Sequence, residues 1–293
     1  MAATLDSLEF EDVEFDDVRL NSIKNYYREV PGLKTQRLNE VRSLLTEISN
    51  LRPCLDDSFL LRFLRSAKYR PLTVLKRLKT YYFSRNLYPE IFQNYLPSNT
   101  LRAQALNHIK ALPYRAKNLS AIVVIKLGQA DFQQVPFTEV LRLWWLVFET
   151  LMQNPMTQLC GITVIIDCDD ASQDDMSEIN TFLPVCFDVF HTDCTLGIRY
   201  LHVVNVPALL YLLYQNMLPS FPPEDYHQAV FYLPDSDLEE LHNQVSLDYL
   251  PEEYGGKLSP SSYVDLNSMV NEKEDYFREH LQYGVLNDEL ELD

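Results

Sequence analysis

The stretch GITVIID, Gly161 to Asp167, decides the fold. It is β-branched and apolar at successive positions, so both of its faces must be covered, which is the signature of a strand inside a parallel sheet. Working outward, AIVVIKL (Ala121 to Leu127) has the same character, as does IRYLHVVNV (Ile198 to Val206), and AVFYL (Ala229 to Leu233) supplies a short fourth strand. Between the first two strands, PFTEVLRLWWLVFETLMQ reads as a helix, and SEINTFLPVCFDVF reads as another, with Pro184 expected to kink or end it. Alternating strands and helices predict an α/β fold with a largely parallel sheet.

Upstream of this region the period is helical. RLNEVRSLLTEISN places Leu38, Val41, Leu44, Leu45 and Ile48 on one helix face. Asp56 or Asp57 caps a second helix whose apolar stripe is Phe59, Leu60, Phe63 and Leu64, flanked by Arg62 and Arg65. Pro71 suits the first turn of a third helix. The expected organisation is an acidic extension over residues 1–30, expected to be flexible, a helical domain over 31–95, an α/β domain over 96–258, and a C-terminal helix with an acidic tail over 259–293.

The formal net charge is −17, and the two ends contribute heavily through Asp6 to Asp17 and Asp288 to Asp293. Such a balance repels a polyanion, so nucleic-acid binding is excluded. Solvated ends are the plainer account of the termini, with a protein partner as the alternative. The first residues carry neither a basic nor an apolar leader pattern, and five cysteines without C-x-x-C spacing fit free thiols, so a cytoplasmic address is expected.

Against that acidity stands HVVNVPALLYLLYQNMLPSF, His202 to Phe221, which carries no formal charge if its histidine is neutral. Two prolines interrupt it and its apolar run is shorter than the ~20 residues a bilayer core requires. It is therefore a core helix or one whose second apolar face meets something other than protein.

Several chemistries are not supported. The chain has seven glycines and neither G-x-G-x-x-G nor a P-loop, so phosphate-cradling turns are absent, as is a G-x-S-x-G elbow. His191 and Cys194 are too few for a zinc site. Asp167, Asp169 and Glu178 fall at calcium-loop spacing, yet Ala171 and Ser172 stand where a ligand and a glycine are needed, so an acidic loop that caps the next helix is the better reading. No metal and no cofactor are expected.

Three stretches in order, DDSFLLRFLRSAKYRPLTVLKRLKTYY (Asp56 to Tyr82), GITVIID followed by IRYLHVVNVP, and LPEEYGG (Leu250 to Gly256), resemble the CRAL-TRIO lipid-transfer proteins, in the branch of alpha-tocopherol transfer protein and cellular retinaldehyde-binding protein. The resemblance implies a CRAL-TRIO lipid-binding domain, in which a sheet floors a closed apolar cavity covered by helices, behind an all-helical N-terminal domain. It also implies a gate helix just after the H-x-x-N-x-P strand end, here at Pro207 to Gln228, that swings to admit lipid and touches membrane transiently. By that layout the ligand-binding residues are Ile162, Val164 and Ile166 on the sheet, Leu141, Trp144 and Phe148 on the covering helix, Val189 and Phe190, and Val206, Leu209, Leu210, Leu213 and Met217 at the gate. Tyr211, Tyr214 and Gln215 are expected on the gate's outer face.

Departures from the pattern matter as well. Tocopherol-carrying relatives hold small hydroxyl residues where Trp144 and Phe148 stand, so tocopherol is not carried over as the ligand. Relatives that exchange lipid for phosphoinositides gather basic side chains at positions occupied here by Ala67, Gly197, Glu224 and Gln228, which leaves Lys68, Arg70 and Arg199 as the nearby substitutes. The expectation is a non-enzymatic carrier of a retinoid, carotenoid, tocopherol or sterol-like lipid, without a phosphoinositide-exchange cluster. The alternative is an interaction module that has filled its cavity with Trp144, Phe148 and Phe190.

Overall fold

The computed structural model describes residues 7–8, 18–27, 32–172, 177–179, 181, 185, 197–208, 211–212 and 229–286. After α1 (Val18–Tyr27), the helical region comprises α2 (Leu33–Thr46), α3 (Asp57–Ser66), α4 (Pro71–Leu87) and the short α5 (Pro89–Phe92). Its core is the stripe read from the sequence: Leu38, Val41 and Leu45 of α2 meet Phe59, Leu60, Phe63 and Leu64 of α3 and Val74, Leu78 and Tyr82 of α4. Asp56 stands at the N-cap of α3, and Pro71 opens α4.

After α6 (Leu101–Ala105) come β2 (Ile109–Arg115), β3 (Ala121–Lys126), α7 (Phe137–Leu151), α8 (Pro155–Cys160), β4 (Ile162–Asp167), β5 (Ile198–Val204) and β6 (Ala229–Phe231). These strands form one five-stranded sheet in the order β2-β3-β4-β5-β6. From β3 to β6 all neighbours are parallel, as expected, whereas β2 is an antiparallel edge that the sequence pattern does not reveal. Lys110, Pro113 and Arg115 interrupt its apolar run, and Pro113 sits within the register shift between Ala111 and Arg115, a place an edge strand tolerates.

Strand order follows chain order, and the connection from β3 to β4 runs through α7 and α8 over one face of the sheet. Helix α7 lies there, with Val140, Trp144, Val147 and Phe148 in one core with Val123, Ile125, Ile162 and Val164. The other face carries Ile122, Val124, Ile165 and Val204. It is closed by Leu241 of α9 (Glu239–Gln244) and by Val245, Leu250, Tyr254 and Leu258.

Both chain ends return to this body. Leu8 is buried and its N–H donates to the Pro113 carbonyl (2.9 Å), while Leu20 of α1 packs with Met156 and Leu159 of α8. At the other end, α10 (Leu266–Asn271) packs against α7, and α11 (Glu274–His280) leads to β7 (Gly284–Val285), which pairs antiparallel with β1 (Leu51–Arg52).

Candidate ligand site on the sheet face

Because side chains alternate along each strand, parallel register lines up rows across the sheet. On the α7 face one row runs Ala111, Val123, Val164, Leu201, Ala229, and the next runs Ile109, Ile125, Ile166, Val203, Phe231. Every member is apolar. The rows are sealed at one end and less so at the other: Val123 and Val164 are 0% and 2% exposed, whereas Leu201, Ala229 and Phe231 are half-buried. Ile166, between the two regimes, is also half-buried. Ile179, Val185 and Tyr211 pack against the same core cluster.

The residues expected to bind ligand divide accordingly. Ile162, Val164 and Ile166 share the α7 face, and Leu141, Trp144 and Phe148 are buried in α7 above it. Trp144 has a fixed polar anchor, since its indole N–H donates to His108 Nε2 at 2.8 Å and its ring meets Phe137 edge-on at 5.8 Å. His108 must therefore keep that nitrogen unprotonated, and burial pushes its pKa down to about 4. Val206 is buried, and its N–H donates to the Tyr232 carbonyl (2.9 Å). Val189, Phe190, Leu209, Leu210, Leu213 and Met217 lie outside the described residues, as do Tyr214, Gln215, Glu224, Gln228, His191 and Cys194.

One expectation about the gate needs correction. Tyr211 packs inward on the sheet-side cluster and Leu212 is 57% exposed, so the phase of this helix start presents leucine rather than tyrosine outward. The phase is set where the helix begins, with the Tyr211 N–H bonded to the Pro207 carbonyl (3.0 Å).

At the carboxyl ends of β4 and β5 a polar clasp holds the motif residues together. Asp167 Oδ1 accepts from Asn205 Nδ2 (2.8 Å) and the Asp169 N–H (3.0 Å), and Oδ2 accepts from the Tyr254 hydroxyl (2.8 Å). A carboxylate so occupied is a structural acceptor rather than a calcium ligand. Asn205 takes φ of 56°, which an asparagine tolerates better than a branched residue, and this turns the chain out of the sheet. His202 points to the opposite face, where Tyr232 Oη lies 3.0 Å from Nδ1 and Gln244 Oε1 lies 3.1 Å from Nε2. The sequence shows Asp167 only as one acid among many. Its role comes from LPEEYGG folding back, with Gly256 so close to Leu250 that a Cβ would meet its carbonyl oxygen at 2.0 Å.

Of the basic substitutes, Arg199 is bonded to backbone carbonyls. Its Nε donates to the Cys160 carbonyl (3.2 Å) and Nη2 to the Leu159 carbonyl (3.3 Å). Cys168, the buried thiol beside Asp167, is pushed up to about 12 by burial and by that acid, so it is a poor nucleophile.

A second feature ties α7 to the helical region. Arg62 and Arg65, read from the sequence as flanking residues, are both buried: Arg62 Nη1 reaches Glu149 Oε2 (3.3 Å), and Arg65 Nη1 donates to Gln158 Oε1 (2.5 Å). A pattern read on one helix cannot show that a second layer will cover its charged edge.

Residues 107–256 match the model of the CRAL/TRIO domain. This chain belongs to the CRAL/TRIO family. Among curated proteins it is 29% identical to the human alpha-tocopherol transfer protein-like over 252 residues, which is 85% of this chain and 73% of that protein. It is 27% identical to mouse clavesin-1 over 240 residues, covering 79% of this chain and 66% of that one. Among solved structures, Sfh5 aligns at a TM-score of 0.43 and 12% identity, covering 90% of this chain and 99% of that chain. CRAL/TRIO membership implies binding or transfer of a hydrophobic lipid ligand. Among the described residues no helix is long and apolar enough to cross a membrane.

Proposed function

We propose that this CRAL/TRIO protein carries one small lipophile of the retinoid, carotenoid, tocopherol or sterol-like class, held on the sheet face where the two apolar rows lose their cover. The observation that carries the reading is the gradient along those rows, from sealed under α7 to half-buried at Leu201, Ala229 and Phe231. Apolar contact suffices for affinity, since each methylene removed from water contributes about 0.8 kcal/mol. Ile166, Leu201, Val203 and Phe231 form the floor, Val164 and the α7 residues Leu141, Trp144 and Phe148 the inner wall, and the chain from Pro207 to Gln228 the gate. The outward Leu212 gives that gate an apolar point of transient contact with a membrane. Release proceeds by gate opening without phosphoinositide exchange, in keeping with an Arg199 already committed to two carbonyls. The protein performs no covalent chemistry, in keeping with the inert Cys168.

Native mass spectrometry of the purified protein, followed by organic extraction, tests this. A stoichiometric lipophile establishes the carrier and names its class. An empty protein that also refuses retinoids, carotenoids, tocopherols and sterols presented in detergent overturns it and favours a filled interaction module.

A further inference from the structure

Between Asp57 and Glu90 the chain holds eight basic residues and no acid, in a protein whose formal net charge is −17. Four of the eight are used internally: Arg62, Arg65 and Arg85 reach Glu149 and Gln158, and Arg77 Nη1 donates to Ser66 Oγ at 2.8 Å. The others lie on or just before α4. Arg70 at its N-cap and Lys76 are exposed and Lys79 is half-buried, and none of these three side chains has a hydrogen-bond or ion-pair partner among the described residues. Leu72, Lys76 and Lys79 are spaced i, i+4 and i+7, so they share one side of the helix, turned away from Val74, Leu78 and Tyr82, which meet the core. Leu72 is 72% exposed there. The first turn of α4 holds no acid, so the positive end of the helix dipole adds to the same potential.

A cationic helix face with a bare leucine fits an acidic segment that carries leucines at intervals, and the chain supplies one beside it. β7 packs against α4, with Val285 set against the core that Val74, Leu78 and Tyr82 line, and the Leu286 N–H donates to the Asn50 carbonyl (2.8 Å). From there the sequence continues as NDELELD, Asn287 to Asp293, outside the described residues, in which Leu290 and Leu292 alternate with Glu289, Glu291 and Asp293 after Asp288. Seven extended residues span about 23 Å. The helical rise from Arg70 to Lys79 is only about 14 Å, so the segment has the length to follow the whole face. The other acidic run, residues 9–17, is less well placed. It is held at one end by Leu8 on the Pro113 carbonyl of β2 and at the other by Leu20 against α8.

We infer that the α4 face of Arg70, Leu72, Lys76 and Lys79 is a docking surface for the acidic segment 287–293 of the same chain, which closes over it as an electrostatic strap. Opposite charges supply the attraction, and Leu72 gives the leucines of the segment an apolar contact. With the strap in place, anionic surfaces are kept off the helix. With it lifted, three cations and a leucine are free to meet them. The surface is separate from the sheet face and stands or falls independently of the lipid reading.

The test is zero-length carbodiimide cross-linking of the full-length protein, mapped by mass spectrometry, at low salt and at about 1 M salt, where the Debye length falls to about 3 Å. Lys76 and Lys79 should link to the acids of 287–293 within one molecule, at least fivefold less at high salt. No such link, a link made chiefly to residues 9–17, a yield indifferent to salt, or links found only between differently labelled molecules of an isotope mixture overturns the proposal. A second measurement is sedimentation with vesicles of equal parts phosphatidylserine and phosphatidylcholine. Neutralising the strap with Asp288→Asn, Glu289→Gln, Glu291→Gln and Asp293→Asn together should tighten vesicle binding at least tenfold, and adding Lys76→Gln and Lys79→Gln should remove that gain. The control Glu9→Gln, Glu11→Gln, Asp12→Asn and Glu14→Gln makes the same change in net charge and should give no comparable gain. Wild-type binding as tight as that of the neutralised strap, or an equal gain from the control, overturns the proposal.

Discussion

The seam at Glu149 and the floor at Ile166 are both sheltered surfaces of the same domain, yet they are built on opposite principles. The seam depends on a few directional bonds between charges that burial has stripped of water. The floor consists of rows of interchangeable aliphatic groups, partly uncovered where a ligand is proposed to sit. A fault in the seam should therefore cost stability without touching ligand selection. A fault in the floor should alter ligand uptake at little cost in stability.

The largest effect should come from Glu149→Ala. It leaves Arg62 and Arg85 without their carboxylate, and removing one partner of a buried pair costs about 3–5 kcal/mol. Urea denaturation will measure it, and a loss under about 1 kcal/mol would mean that water already solvates the seam. Next comes acid. His108 titrates near 6.5 when unfolded but at about 4 when folded, so the unfolded chain binds the extra proton first. Stability is then full above the unfolded value, falls as the pH drops towards 4, and is not lost further to this group below that. The total is on the order of 3 kcal/mol. His108→Gln should flatten that part of a stability-versus-pH curve.

Third is Tyr254→Phe, which strips Asp167 Oδ2 of its donor and should cost about 1–3 kcal/mol in the same denaturation assay. The smallest effect on folding belongs to the floor. Leu201→Ala, at a half-buried position, should cost roughly 1 kcal/mol while changing which lipophile is retained, as read by extraction. If Leu201→Ala proved as damaging as Glu149→Ala, the contrast between the two regions would fail.

Much of this was legible in the residues. The four parallel strands announce themselves because a strand covered on both faces has no room for polar alternation, and the period of two then assigns Ile162, Val164 and Ile166 to one face. Helix α7 is different: almost every residue from Phe137 to Leu151 is buried, so its hydrophobicity has no direction and cannot say which side meets the sheet. The edge strand β2 was hidden by Pro113. A void beside Glu149 was hidden for a deeper reason, since it is assembled from α3, α4, α5, α7 and α11, and no local pattern links Phe59 to Phe277.

The clasp at Asp167 also has a mechanical consequence. It pins the chain at Asn205, just before Pro207, as a cantilever is fixed at its wall. Whatever path the following residues take, a load on Asn205 is shared through Asp167 with Tyr254, across the sheet, instead of falling on the strand end alone. On the proposal that a gate hangs from this mount, it should be open to redesign in length or composition, for example to accept a bulkier cargo, without the sheet being rebuilt beneath it.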